Sequence, residues 1–283
     1  MSAHDPRMTP ARPDLAAKHL EGKIAAARFV EGEAREVVEP QAPLRRAPAP
    51  DAPLDTEALM GERVTVFETD EGWAWGQLDA DGYVGFLPAN ALAAPGPAPT
   101  HRVSALRTLV FPGPSIKLPP LAALPLGARL AIVREDDRFA VTAAGGYVPR
   151  VHLAAGDSRE ADFVAVAERF IGVPYLWGGK TSLGLDCSGL VQVALTACGL
   201  SCPRDSDMQE AALGHRVAEG PPRRGDLYFW KGHVAIVRDE TTFVHANAHH
   251  MAVALEPISA ALPRIRASAG EVTSIKRMAG SVA

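Results

Sequence analysis

Cysteine is scarce in this chain, with three residues in 283, all lying between Cys187 and Cys202. An odd number confined to so short a stretch cannot staple a disulfide-dependent fold, so at least one thiol is expected to be free. The three also lack a paired CxxC spacing, which leaves a structural zinc site without support. No run approaches the roughly 20 apolar residues that cross a bilayer. The opening stretch MSAHDPRMTPARPDLAAKHL lacks the uninterrupted apolar core of a secretory signal. The expectation is therefore a cytoplasmic protein with no membrane partner. Nor is there an excess of basic charge: 29 Lys and Arg face 33 Asp and Glu, for a net charge of -4. Without a basic stripe to neutralise phosphates, nucleic acid is not an expected partner.

What the chain does have is an ordinary globular composition, 47% hydrophobic and 22% charged. Its length fits two or three domains at about 100 to 200 residues each. Residues 1–55 end in the run PQAPLRRAPAPDAP. Proline fixes φ and removes amide donors there, so the segment reads as an N-terminal arm and linker, with a short helix and a strand upstream. From residue 56 to 98 the pattern changes to short β-branched and aromatic runs, RVTVFE, WAWGQL and YVGFLP, separated by Asp/Gly turns. This alternation predicts a small antiparallel β-barrel. A second, weaker copy runs over 101–155, where Gly146-Tyr147-Val148-Pro149 echoes Gly82-Tyr83-Val84.

The last domain, 157–283, opens with Asp157 and Glu160 spaced as a reciprocal helix cap, followed by the apolar stripe Phe163, Val166, Ala167 and Phe170. A second helix is expected from Asp186 to Cys198, with Leu190, Val191, Ala194 and Leu195 buried and Gly199 as its stop. Strands are expected at DLYFW, HVAIVRD, TTFVHA and MAVALEPI. Helices ahead of an antiparallel sheet define an α+β domain.

Chemistry concentrates here. Cys187 sits at the predicted start of a helix, where free amides and the positive end of the dipole favour a thiolate. A lone cysteine is more often a small core residue, but His233 opens the strand HVAIV and His245 lies in the next one. An imidazole at a sheet edge facing that helix can serve as base, and a second can orient it through a ring nitrogen. A metal reading of His245, His249 and His250 lacks a ligand triad at characteristic spacing, so neither a metal nor another cofactor is expected.

The fragments PYLWGG, DCSGLV, RGDLYFW, GHVAIV and VHA occur in the order found in the NlpC/P60 cysteine peptidase family, which this region resembles over about 100 residues. The stretch LMGERVTVFETDEGWAWGQLDADGYVGFLPANAL likewise resembles the bacterial SH3-like domain. These resemblances imply a papain-like catalytic domain preceded by two small SH3-like barrels. Cys187 is then the nucleophile, His233 the general base and His245 the orienting residue, with Tyr175 placing its hydroxyl nearby. The implied substrate is a murein-derived peptide cut between γ-D-glutamate and a diamino acid.

The segment PRDSDMQ resembles family members that trim short peptides with a free N-terminal L-alanine in cell-wall recycling. In that likeness Asp205 and Ser206 bind substrate, assisted by Asp186 and Ser188. A carboxylate facing an ammonium selects a free amine, because an acylated alanine leaves the charge unpaired. Tyr83 and Glu62, or Glu57 in its place, are the candidates from the first SH3-like module. Two other readings stay open: a wall-binding scaffold with an inactive peptidase domain, and a papain-like acyltransferase.

Overall fold

The structure, a computed structural model, describes residues 4–217 and 220–278. The outermost residues of the expected arm, 1–3, and of the expected last domain, 279–283, lie outside the described residues. The chain divides into two compact units, Met1–Asp157 and Ser158–Ala283.

The first unit is built from strands β1 (Leu15–Ala17), β2 (Arg28–Val30), β3 (Glu33–Val37), β4 (Gln41–Arg45), β5 (Leu54–Leu59), β6 (Arg63–Asp70), β7 (Trp73–Leu78), β8 (Val84–Pro88) and β9 (Leu92–Ala93). Seven of them form one sheet in the order β5-β4-β8-β7-β6-β3-β9. The β6–β7 hairpin closes through Glu71 and Gly72, both at positive φ. That is the two-residue turn whose twist matches paired strands.

The segment expected to be a linker up to residue 55 instead contributes β3 and β4 to this sheet. The strand forms because Ala42 and Leu44 alternate inward and are fully buried, which outweighs the proline content. Pro43 is tolerated since β4 pairs with β8 only at Arg45, leaving most of that edge outside the ladder. The helix expected upstream is reduced to a single 3-10 turn, Lys18–Leu20.

The rest of the unit holds β10 (His101–Val103), β11 (Arg107–Val110), β12 (Ala122–Pro125), β13 (Arg129–Leu130), β14 (Ile132–Glu135), β15 (Phe139–Thr142), β16 (Tyr147–Pro149) and β17 (Leu153–Ala155). They pair as three small sheets, β13-β10-β17, β11-β12 and β14-β15-β16. Among the described residues neither set closes into a barrel by hydrogen bonding. Register shifts at Val66/Glu68 and Ile132/Arg134 interrupt the ladders, as bulges do.

The second unit starts with α1 (Phe163–Glu168), capped by Asp162, whose side chain accepts from the Val164 amide at 2.8 Å. The cap expected from Asp157 and Glu160 is therefore displaced to Asp162. Glu160 instead pairs with Arg169. The short strands β18 (Lys180–Thr181) and β19 (Gly184–Leu185) lead into α2 (Cys187–Ala197). Nearly every residue of α2 is buried, and Gly199, at φ 76°, terminates the chain's run beyond it. After α3 (Ser206–Ala212) come β20 (His215–Arg216), β21 (Leu227–Trp230), β22 (His233–Asp239), β23 (Thr242–Asn247), β24 (Ala252–Pro257), α4 (Ile258–Ala269) and β25 (Ser274–Arg277).

The sheet order is β20-β25-β21-β22-β23-β24. Helices over an antiparallel sheet make this unit α+β, as anticipated. Tyr228, Trp230, Ala235, Val237 and Phe243 of the sheet form one cluster with Ile258, Ala261 and Ile265 of α4. Two of its rings touch the histidines: Trp230 packs against His233, which opens β22, and Phe243 against His245, within β23.

Candidate functional site

Cys187 is the first residue of α2, and Asp186 is its N-cap, accepting from the Gly189 amide at 2.7 Å. The sulfur receives backbone hydrogen bonds from Ser188 and from Val234, the residue after His233. The start of α2 is therefore seated against the start of β22. Burial is the largest influence on the thiol and pushes it up to about 12, with the Asp186 charge adding to the rise. Burial thus opposes the thiolate that the helix start was expected to favour. Desolvation outweighs the helix amides and the Arg204 charge, so Cys187 rests as a neutral thiol.

The two histidines meet. His233 Nε2 lies 3.1 Å from His245 Nδ1, with ring centroids 5.3 Å apart. His233 also packs on the ring of Trp230 at 5.6 Å. Burial lowers His233 to about 3 and His245 to about 4, so both rings are neutral near neutral pH. The other nitrogen of His245, Nε2, lies 3.0 Å from Glu256 Oε2. Glu256 is in turn gripped by Arg264 of α4, Nε to Oε1 at 2.9 Å and Nη2 to Oε2 at 2.6 Å. Neither Glu256 nor Arg264 was singled out from the sequence. The one signal available was an acidic residue in the strand pattern of MAVALEPI, at a position two residues beyond the partner of His245.

A second network surrounds Asp186. Arg204, 1% exposed, donates from Nη1 to Asp186 Oδ1 at 2.9 Å and from Nη2 to Oδ2 at 2.8 Å. Its Nη1 also donates to Ser188 Oγ at 2.9 Å, and its Nη2 to the Gly179 carbonyl at 3.2 Å. The Gly178 amide donates to Asp186 Oδ2 at 2.8 Å. Asp186 and Ser188, expected to assist in binding substrate, are thus buried members of an internal scaffold behind the thiol. The WGG and DCSG motifs acquire a steric reason as well. A Cβ on Gly189 would stand 2.3 Å from the Gly179 carbonyl oxygen, and one on Gly179 would stand 2.4 Å from that of Gly184.

Asp205 occupies the N-cap position of α3 without capping it through its side chain, and Ser206 begins that helix. Both are half-buried. The α3 residue Gln209 ties this corner to α2 by donating to the Ser188 carbonyl at 2.9 Å. Tyr175 is half-buried and held by its amide on the Met251 carbonyl at 2.9 Å. Its phenol is raised first by burial and next by the neighbouring Cys187 and Asp186, which places the ring close to the thiol.

Tyr83 lies in the other unit, 2% exposed within the apolar cluster of Val37, Leu44, Val64 and Leu87. Glu62 is buried there too and accepts from the Leu59 amide at 2.8 Å. Glu57 accepts from Gln41 Nε2 at 2.9 Å. Among the described residues no group of three His, Cys, Asp or Glu is arranged to hold a metal. Likewise no helix among them is long and apolar enough to cross a membrane.

A buried cysteine at a helix N-terminus, seated beside a strand that opens with a paired histidine, defines the class. Residues 172–266 match the NlpC/P60 family and residues 44–92 match the bacterial dipeptidyl-peptidase Sh3 domain. The chain thus carries an NlpC/P60 domain joined to a bacterial SH3 domain. It is 26% identical over 238 residues to the gamma-D-glutamyl-L-lysine dipeptidyl-peptidase of Bacillus cereus, covering 73% of this chain and 71% of that one. Against the protein of the same description from Bacillus subtilis it is 30% identical over 198 residues, 64% of this chain and 65% of that one. A third relative, dipeptidyl-peptidase 6 of Lysinibacillus sphaericus, is 39% identical over 84 residues, which is 30% of this chain. The alignments span 31% to 71% of the relatives' own lengths. The crystal structure of an NlpC/P60 family protein from Bacillus cereus superposes with a TM-score of 0.72 at 20% identity, covering 87% of this chain and 99% of that one. At that identity it speaks for the fold.

Proposed function

We propose that this protein is a cysteine endopeptidase of short murein peptides, hydrolysing the bond between γ-D-glutamate and a diamino acid when the peptide begins with a free L-alanine. The reading is supported by the family match, by two relatives named for γ-D-glutamyl-L-lysine peptides, and above all by the seating of Cys187 against the residue next to His233. In this reading Cys187 is the nucleophile, His233 the base and His245 its orienting partner.

His233 commits Nε2 to His245, so Nδ1 is the nitrogen left to receive the thiol proton. With both partners neutral at rest, proton transfer and attack are coupled. The thiol proton passes to His233 as sulfur bonds to the amide carbonyl carbon. His233 then gives that proton to the departing amine, and water hydrolyses the acyl enzyme. The Cys187 amide at the head of α2 and the Tyr175 hydroxyl are the donors assigned to the developing oxyanion. Asp205, with Ser206 beside it, is assigned to the substrate ammonium. We read both N-terminal modules as SH3-like barrels. A role in cell-wall peptide recycling and a cytoplasmic location belong to the same proposal.

The test is hydrolysis of L-Ala-γ-D-Glu-L-Lys and L-Ala-γ-D-Glu-meso-diaminopimelate beside their N-acetylated forms. The free peptides should be cut, the acetylated ones should resist, and Cys187→Ala should abolish turnover. Failure of the wild type to cut either free peptide overturns the reading. It would favour the scaffold alternative.

A further inference from the structure

The histidine pair is part of a longer chain, His233 to His245 to Glu256 to Arg264, linked at 3.1, 3.0 and 2.6 Å. A carboxylate only accepts hydrogen bonds, so its bond with His245 forces the proton onto His245 Nε2. His245 Nδ1 is then a lone pair and can only accept, which forces the proton of His233 onto Nε2. His233 Nδ1 is left bare. Glu256 therefore decides, through His245, which atom of His233 is available as base.

We propose that Glu256, clamped by Arg264, is a positioning residue for this site, fixing the tautomers of His245 and His233 and stabilising the imidazolium that forms as Cys187 gives up its proton. The inference rests on the peptidase reading for its catalytic consequence, whereas the tautomers can be observed without any substrate.

Three features make the pair suited to that role. Glu256 is 6% exposed, so its charge acts on His245 with little screening by water. It stays ionised, because the bonds from Arg264 hold its carboxyl well below the usual range, at about 2, against the opposing effect of burial. Its place is also set by the fold: on the antiparallel β23–β24 pair His245 is opposite Ala254 and Phe243 is opposite Glu256, so Glu256 is the diagonal neighbour of His245 on one face. The remaining groups beside the two rings are His250 near His245 and the rings of Trp230 and Phe243, while the Cys187 sulfur is bonded to the backbone of Val234, next to His233. Among these, Glu256 is the group whose charge favours the imidazolium form of both histidines, while Arg264 opposes it.

The deciding experiment uses full-length protein labelled with nitrogen-15 in its nine histidines. Long-range proton–nitrogen spectra at pH 7 report which ring nitrogen carries the proton. Wild type should show both His233 and His245 protonated on Nε2, assigned with His233→Ala and His245→Ala. Glu256→Ala removes the acceptor, so the His245 signals should move towards mixed tautomers. Its kcat on L-Ala-γ-D-Glu-L-Lys should fall about 10- to 100-fold, the scale on which metal-ligating histidines depend on their outer partners, with KM changed less than about 3-fold. Glu256→Gln keeps the size and removes the charge, so it should lower kcat less and serves as the readout if the alanine variant fails to fold by circular dichroism.

A wild-type His245 protonated on Nδ1 overturns the proposal. So does a folded variant of either kind that keeps wild-type ring signals and kcat. Hydrolysis that survives Cys187→Ala would instead overturn the peptidase reading, and leaves the tautomer result to stand or fall by itself.

Discussion

Arg204 holds both carboxylate oxygens of Asp186, at 2.9 and 2.8 Å, while exposing 1% of its surface. Burial alone would disfavour its charge. The Asp186 charge and the two hydrogen bonds more than compensate, so the guanidinium is held above its ordinary range. The same carboxylate caps α2, so this one ion pair sets where the helix carrying Cys187 begins. Breaking a buried pair by removing one partner costs about 3–5 kcal/mol, because the charge left behind stays buried. Arg204→Ala should therefore lower stability by about that amount in urea or thermal unfolding. Arg204→Lys should not restore it, since an ammonium cannot span two oxygens and the Ser188 hydroxyl together. A loss under about 1 kcal/mol would show that Asp186 is held from elsewhere.

Gly189 is a second point of close approach. In Gly189→Ala the new Cβ would lie 2.3 Å from the Gly179 carbonyl oxygen and 3.0 Å from Asp186 Oδ1, so backbone must move. The expected result is a drop of about 1–3 kcal/mol, the usual range for overpacking, with an activity loss larger than the melting shift explains. Measuring kcat well below the new melting temperature separates the two effects.

The shifted groups predict a stability plateau bounded on both sides. His233 and His245 are lowered from an ordinary 6.5 to about 3 and about 4. The unfolded chain thus takes up protons below 6.5 that the folded chain refuses, and stability falls as pH drops from there. Glu256, lowered from 4.5 to about 2, acts in the same direction at lower pH. Cys187, raised from 9.0 to about 12, keeps a proton that the unfolded chain loses, so stability also falls as pH rises above 9. Melting midpoints across pH 3 to 10 should be flattest between about 6.5 and 9. Cys187→Ala should flatten the alkaline limb and leave the acid limb in place; parallel alkaline limbs in both proteins would refute the neutral thiol.

Selection of the free amine should depend on Asp205. Asp205→Asn should raise KM for L-Ala-γ-D-Glu-L-Lys at least about 10-fold, the scale of a lost charge-assisted bond of 1.5–3 kcal/mol. The slow cleavage of the N-acetylated peptide should change little. Equal losses on both substrates would show that Asp205 shapes α3 rather than reading the ammonium.

The α+β character of the second unit was legible because its helices and strands have different periods. Leu190, Val191, Ala194 and Leu195 recur at helical spacing, and HVAIV and TTFVHA carry the dense β-branched and aromatic content of buried strands. The helix α4 was not legible, since Pro263 lies inside it and reads as a stop. Burial of Ile258, Ala261 and Ile265 against the sheet overrides that signal. The same kind of override turned the proline-rich arm into β4, whose inward Ala42 and Leu44 have a sheet to bury against.

Cys187, His233 and His245 were readable as candidates from residue type, predicted element and motif order alone. Their chemistry was not, because ionisation depends on what surrounds a group in space. Local sequence gave Cys187 a helix N-terminus, which lowers a thiol, whereas the folded interior removes it from water, which raises it further. Arg204, 18 residues from Asp186, and Arg264, 8 from Glu256, owe their roles to contacts that no local pattern encodes. The chain's alternation of apolar and polar residues determined which elements form and where a nucleophile and its base can stand. Only the packing of those elements decided which charges meet in a low-dielectric interior, and so which proton sits on which atom.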